Sequence, residues 1–261
     1  HSATMAIFLT LLEKSRETIT IPSVIPPVVA NAILCSGHGL GYRDDVSWVG
    51  NSYILHQFED YKIIDSAQQL TENQFKEQAN DEDLMIFSFY PTKPVGSCDG
   101  GLVVSNDKEK IDRLRILSRN GMSLEKNSWE RNIILPGWKM YMNSIQAYIA
   151  NENFKKLELK TKRYDEIREA YNSAFNKNNT SLHLYRLNVE DNEAFVSIMK
   201  DKQIQCGIHY KEIHLMSAYS RPGLNLPLSE NESRSTVSIP FHEKLTDEQV
   251  ETVIKEVKNA I

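Results

Sequence analysis

Cysteine is scarce in this chain: three residues, Cys35, Cys98 and Cys206, lie far apart in 261 positions. An odd, dispersed set fits neither a disulfide framework nor a zinc-ligand spacing, so a reducing, cytoplasmic setting is the expectation. No apolar run approaches the ~20 residues of a membrane-spanning helix, and the N-terminus lacks the basic, apolar and small-residue sections of a secretory signal. There is no excess of positive charge. Lys and Arg total 30 against 35 Asp and Glu, a net charge of −5, which leaves no field to hold a nucleic-acid backbone. Eleven Gly and nine Pro are too few for a collagenous or low-complexity chain, and no internal repeat is present.

What is present is an ordinary globular composition, 41% hydrophobic and 25% charged. The length exceeds a ~150-residue domain, so one large domain with a smaller appendage is expected. The chain begins with His1 rather than Met and enters an apolar pattern almost at once, so its start reads as a processing or cloning boundary.

Patterning predicts a helix over Thr4 to Leu12, a strand at Thr18 to Ile21, and a helix over Val28 to Leu34 that stops near Gly37. Further strands are expected at Tyr53 to Leu55, Tyr61 to Ile64, Leu84 to Phe89 and Gly101 to Val104. Asn106 stands three residues before Glu109, as in a capping box, ahead of a helix from Lys108 to about Arg119. This alternation predicts an α/β fold with a mostly parallel central sheet over residues 1–150. From Asn143 a long helical stretch begins, with 151–178 dense in Lys, Glu, Asn and Arg as a bridge. A smaller C-terminal α+β domain completes 151–261. It has a β-like run at Ser181 to Leu187, a helix near Asn192 to Lys200, and strands near Ile204 to His209 and Ser235 to Ile239. In the last helix Thr246 and Gln249 form a capping box, and Val250, Val253, Ile254, Val257 and Ile261 form one stripe.

Two polar residues stand at strand ends, where α/β sheets place ligand-binding groups. Asp65 closes the strand at 61–64, with Gln68 three residues on. Lys93 follows the strand at 84–89, just before the turn Gly96 to Gly101. Taken alone each has an ordinary reading: Asp65 as a helix cap or surface turn, Lys93 as a solvated loop lysine. A lysine desolvated at a sheet edge, however, has a depressed pKa and condenses with aldehydes. An aspartate is the expected partner for the ring nitrogen of an aldehyde cofactor of the pyridoxal type.

The segment FSFYPTKPVGSCDGGLVV at 87–104, with IDSAQ at 64–68, resembles the pyridoxal-phosphate-dependent nucleotide-sugar aminotransferases of the DegT/DnrJ/EryC1/StrS family, a branch of the aspartate aminotransferase fold. SAT at 2–4, GWKMYMNSIQA at 137–147, GIHYKEIH at 207–214 and SIPFHEKLTDEQV at 238–250 agree in the family's order. The resemblance implies that Lys93 is the internal aldimine lysine and Asp65 the partner of the pyridine nitrogen. It places Gln68 against the cofactor ring, and Ser88, Ala3 and Thr4 at the phosphate, where a helix N-terminus offers free N–H groups. Thr4 by itself reads as an N-cap. Lys139 matches a position that reaches the phosphate of the neighbouring subunit, so a homodimer with shared sites is implied. His209, Tyr210 and His214 match a segment lining the sugar side, although an isolated histidine is more often structural. Relatives carry a further segment before SAT and a longer stretch between Gly41 and Asp65, and Pro26 stands where many place a ring-stacking aromatic.

The implied activity is transfer of an amino group from an amino acid, glutamate for preference, to the keto group of a nucleotide-linked sugar, with pyridoxamine phosphate as the intermediate cofactor form. Replacement of the lysine accompanies a switch to dehydration in this family, and Lys93 is present. Two other readings stay open: a catalytically impaired member serving as a binding or regulatory protein, or a pyridoxal-phosphate enzyme acting on a non-nucleotide sugar. No metal, nucleic acid or membrane enters the expected function.

Overall fold

A computed structural model describes residues 1–123 and 132–261. The chain divides into two compact units: one of His1–Thr20, Val28–Gly41 and Ser52–Lys155, the other of Ile21–Pro27, Tyr42–Asn51 and Lys156–Ile261.

The first unit opens with α1 (Ala3–Leu11), capped by Ser2, whose hydroxyl accepts from the Met5 N–H at 3.3 Å. Its sequence is apolar nearly all round and buries Ala6, Ile7, Leu9 and Leu11, as a helix covered on most sides must. β1 (Thr18–Pro22) and β2 (Gly39–Arg43) form a two-stranded sheet, with α2 (Pro27–Cys35) between them in sequence. The central sheet has the order β3 (Tyr53–Gln57), β4 (Lys62–Asp65), β5 (Leu84–Ser88), β6 (Gly101–Val104). Leu84 to Phe87 are buried in succession, the signature of a strand covered on both faces.

The sheet departs from the mostly parallel one expected: β4 and β5 are parallel, whereas β3–β4 and β5–β6 are antiparallel. The connections explain it. Only a short turn separates β3 from β4, which permits a hairpin alone, while the crossover from β4 to β5 carries α3 (Gln74–Gln78) and can return the chain in the same direction. α4 (Lys108–Ser118) is capped by Asp107, which accepts from the Lys110 N–H, and not by Asn106, whose amide donates to Asp81 instead. The expected capping box at Asn106 is therefore absent. α5 (Ser144–Phe154) does start with one, between Asn143 and Gln146.

The second unit contains α6 (Leu157–Phe175), β7 (Tyr185–Asn188), α7 (Asn192–Asp201), a single 3₁₀ turn (Ile213–Leu215), α8 (Pro227–Ser235), β8 (Thr236–Ile239) and α9 (Asp247–Ala260). β7 and β8 pair antiparallel over a core of Tyr164, Tyr171, Tyr185, Phe195, Val237 and Val253. The Thr246–Gln249 capping box is formed, and Val250, Val253 and Val257 are buried. Ile261 is exposed, because it lies beyond the last helical turn. Residues 204–209 make an isolated bridge, Gly207 to Ser238, in place of the expected strand. Among the described residues no helix is long and apolar enough to cross a membrane.

Candidate active site

Parallel pairing of β4 with β5 brings their carboxyl ends to one edge of the sheet. Asp65 ends β4 opposite Ile86, and Ser88 ends β5 two residues further on. Asp65 is buried; its Oδ1 accepts from the Ala67 N–H and its Oδ2 from the Tyr53 hydroxyl, each at 2.9 Å. Burial pushes its pKa up, against the pull of those two bonds and of the Lys93 charge. Gln68 is buried in the turn that follows.

Lys93 lies in a turn closed by its N–H donating to the Tyr90 carbonyl at 2.9 Å. Desolvation brings its pKa down to about 8, opposed by the charge of Asp65. The two groups therefore feel each other's charge inside the protein, where screening by water is weak. A lysine of this kind is more readily neutral near pH 7.5 than an ordinary one, whose pKa is 10.5.

The start of α1 reaches the same edge. Gly101 pairs with Ser88, and a Cβ on it would sit 2.5 Å from the Ala3 nitrogen and 2.5 Å from the Ser2 carbonyl carbon. Ala3 and Thr4 thus begin a helix whose first turn lies on β6, beside the end of β5, with unpaired N–H groups and the positive end of the dipole. Thr4 is not the cap, since Ser2 takes that place.

Lys139 is exposed on a segment tied to the end of α4: it bridges to Arg119, while Trp138 exchanges backbone bonds with Leu117 and Asn120. Of the sugar-side residues, which belong to the second unit, His209 bonds through Nδ1 to the Ser238 hydroxyl at 3.0 Å. Tyr210 stacks on the buried Trp48, rings 6.3 Å apart and within 5° of parallel. His214 departs from expectation. Its ring is wholly enclosed, with Nδ1 2.6 Å from the Ser23 hydroxyl and Nε2 3.4 Å from a Glu230 oxygen, so it packs rather than lines a ligand surface. Pro26 precedes α2 with its ring partly exposed.

Sequence reasoning missed Tyr53. It was legible only as a strand residue, since nothing in the residue order says that it stands opposite Asp65. A groove of about 1170 Å³ in the first unit, lined by Leu70, Phe75, Phe87, Leu102, Val104 and Phe154 among others, contains none of the residues assigned to the site. Alternation along β5 explains this, because Phe87 and Ser88 point to opposite faces.

This sheet, with its acid and lysine at one edge, has the mixed α/β fold of solved aminotransferases. PseC of Helicobacter pylori, an aminotransferase involved in the biosynthesis of pseudoaminic acid, superposes with a TM-score of 0.82 at 19% identity, covering 99% of this chain and 85% of its own. The chain belongs to the DegT/DnrJ/EryC1/StrS aminotransferase family, whose model matches residues 56–258. It is 28% identical over 209 residues to the spore coat polysaccharide biosynthesis protein SpsC of Bacillus subtilis, covering 69% of this chain. Identity is 26% over 224 residues, 77% of this chain, to the UDP-4-amino-4,6-dideoxy-N-acetyl-beta-L-altrosamine transaminase of Campylobacter jejuni. The chain spans 54% and 57% of the length of these two relatives.

Proposed function

We propose that this chain is a pyridoxal-phosphate-dependent aminotransferase that moves an amino group from an amino acid, glutamate for preference, to the keto group of a nucleotide-linked sugar, working as a homodimer. The observation that carries the reading is the charge-coupled pair of buried Asp65 and Lys93 at one sheet edge, with a lysine pKa of about 8. Family membership and the transaminase of Campylobacter jejuni support it.

The residues present fit the cofactor. A buried carboxylate suits a protonated ring nitrogen, a partly neutral amine suits an aldehyde, and the start of α1 with the Ser88 hydroxyl suits a phosphate. When bound, pyridoxal phosphate supplies an electron sink for the carbon that bears the amino group. Lys93 Nζ would hold the cofactor, and when freed from it the amine would take and return a proton as general base and acid. Its lowered pKa suits both roles, because neither protonation state is rare near neutrality. Asp65 would hold the proton on the ring nitrogen. Gln68 would lie against the ring, Ala3, Thr4 and Ser88 would hold the phosphate, and Lys139 would reach the phosphate of the partner subunit. His209 and Tyr210 would face the sugar, with His214 packed beneath their segment. The expected division at 150/151 becomes a cofactor-holding unit of His1–Thr20, Val28–Gly41 and Ser52–Lys155 and a second unit that takes in Ile21–Pro27 and Tyr42–Asn51 with Lys156–Ile261.

The test is reconstitution with pyridoxal phosphate followed by borohydride reduction. A visible absorption band that reduction abolishes, with the label mapped to Lys93 by peptide mass spectrometry, is the expected result. Turnover of L-glutamate to 2-oxoglutarate with a UDP-linked 4-keto sugar then tests the substrate class. A chain that stays colourless and unlabelled overturns the reading.

A further inference from the structure

Asp65 is held by more than its place at the end of β4. Tyr53 opens β3 and is the direct partner of Asp65 in the antiparallel β3–β4 register, so both side chains stand on one face of the sheet. Both are buried, and the phenolic hydroxyl donates to Oδ2 at 2.9 Å. A phenylalanine ring would fill the same volume, which leaves the hydroxyl with an electrostatic task.

That task follows from the surroundings of the carboxyl. Burial alone favours the neutral acid, and a neutral acid cannot hold a proton on a neighbouring ring nitrogen. The Ala67 N–H, the Tyr53 hydroxyl and the Lys93 charge act the other way. An ionised carboxylate offers about four lone-pair sites; these two donors take one on each oxygen, leaving acceptor capacity for a ligand and fixing the plane of the group.

We propose that Tyr53 is a positioning residue for Asp65: its donated hydrogen bond keeps the carboxylate ionised and oriented toward the ring nitrogen of the cofactor. This rests on the cofactor reading above, and the two fail in different ways.

The experiment compares binding of pyridoxal phosphate with that of its 1-deaza analogue, in which carbon replaces the ring nitrogen. Both are titrated into the wild-type chain, Tyr53→Phe, Asp65→Asn and the double variant. The wild type is expected to prefer pyridoxal phosphate, and Asp65→Asn to abolish the preference. Tyr53→Phe should cut it about tenfold, the ordinary worth of one hydrogen bond to a charged group. The double variant should match Asp65→Asn alone, because Tyr53 acts through the carboxylate.

An unchanged preference in Tyr53→Phe overturns the proposal. So does an equal loss of affinity for both ligands, which is what a merely structural role produces, or additivity in the double variant. Circular dichroism checks folding. If Tyr53→Phe does not fold, 3-fluorotyrosine placed at position 53 keeps the ring and makes the hydroxyl a stronger donor. The preference must then rise, and a constant one overturns the role. Failure of the wild type to capture pyridoxal phosphate at Lys93 overturns the cofactor reading, and this one with it.

Discussion

Replacing Gly101 by Ala tests how closely the start of α1 is held against the sheet. Gly101 opens β6 and pairs with Ser88, and its φ imposes no need for glycine; the requirement is the close approach of backbone. The added methyl carbon would lie 2.5 Å from the Ala3 nitrogen and 2.5 Å from the Ser2 carbonyl carbon, with the Ser2 oxygen at 2.7 Å. Ordinary contact between such atoms needs ~3.5 Å or more, so the two backbones must part by close to an ångström. No flexible side-chain end is available to give way. Overpacking of this kind costs typically ~1–3 kcal/mol of stability, and a one-ångström misplacement of a binding group costs up to ~100-fold in what it supports. The expected outcome is a folded protein, destabilised by about 1–3 kcal/mol in urea, whose affinity for pyridoxal phosphate falls at least ~10-fold while pyridoxal without its phosphate binds as before. The two assays are denaturation monitored by circular dichroism and cofactor titration by absorbance. If Gly101→Ala matches the wild type in both, the first turn of α1 is not the phosphate seat, and the argument from close packing is refuted.

Two other predictions follow from charge and symmetry. The folded-state pKa of Lys93, about 8, lies below its ordinary value of 10.5, so between these limits the unfolded chain binds more protons, and the cofactor-free protein gains stability as pH rises from about 8 to 10.5. Lys93→Met should therefore stabilise the cofactor-free protein at pH 7 by roughly 1–3 kcal/mol, an advantage that shrinks toward pH 10.5; paired urea titrations at the two pH values check it, and a constant difference counts against a desolvated, charge-coupled amine. For the shared site, mixing inactive Lys93→Ala chains with inactive Lys139→Ala chains should rebuild one intact site in each mixed dimer. Recovery of part of the activity is expected, whereas a fully active monomer by light scattering, or no recovery after proven exchange, sinks the arrangement.

Local signals sufficed where the physics is local. The apolar run of α1, the strands expected at 61–64 and 84–89, the Thr246–Gln249 capping box and the buried valines of α9 all follow from spacing and propensity; the fold forms each of them, with the two strands at Lys62–Asp65 and Leu84–Ser88. The motif around Lys93 was equally readable, since its residues are nearly contiguous.

What the order of residues left open was decided by pairing across distance. Strand direction depends on connections and on packing, so the antiparallel flanks of the central sheet emerged only with the fold. Asn106 and Asp107 are both plausible caps one residue apart, and the competing bond to Asp81 settled which one serves. His214 has the sequence context of a ligand-facing group, yet Ser23, 191 positions away, and Glu230 enclose it. Tyr53 carries no local mark at all. Its link to Asp65 exists because a hairpin register sets two side chains on one buried face, and the desolvation that lowers the pKa of Lys93 comes from the same tertiary enclosure. Residue order alone names the chemical groups of the candidate site; the fold decides their burial and their partners, because both depend on residues remote along the chain.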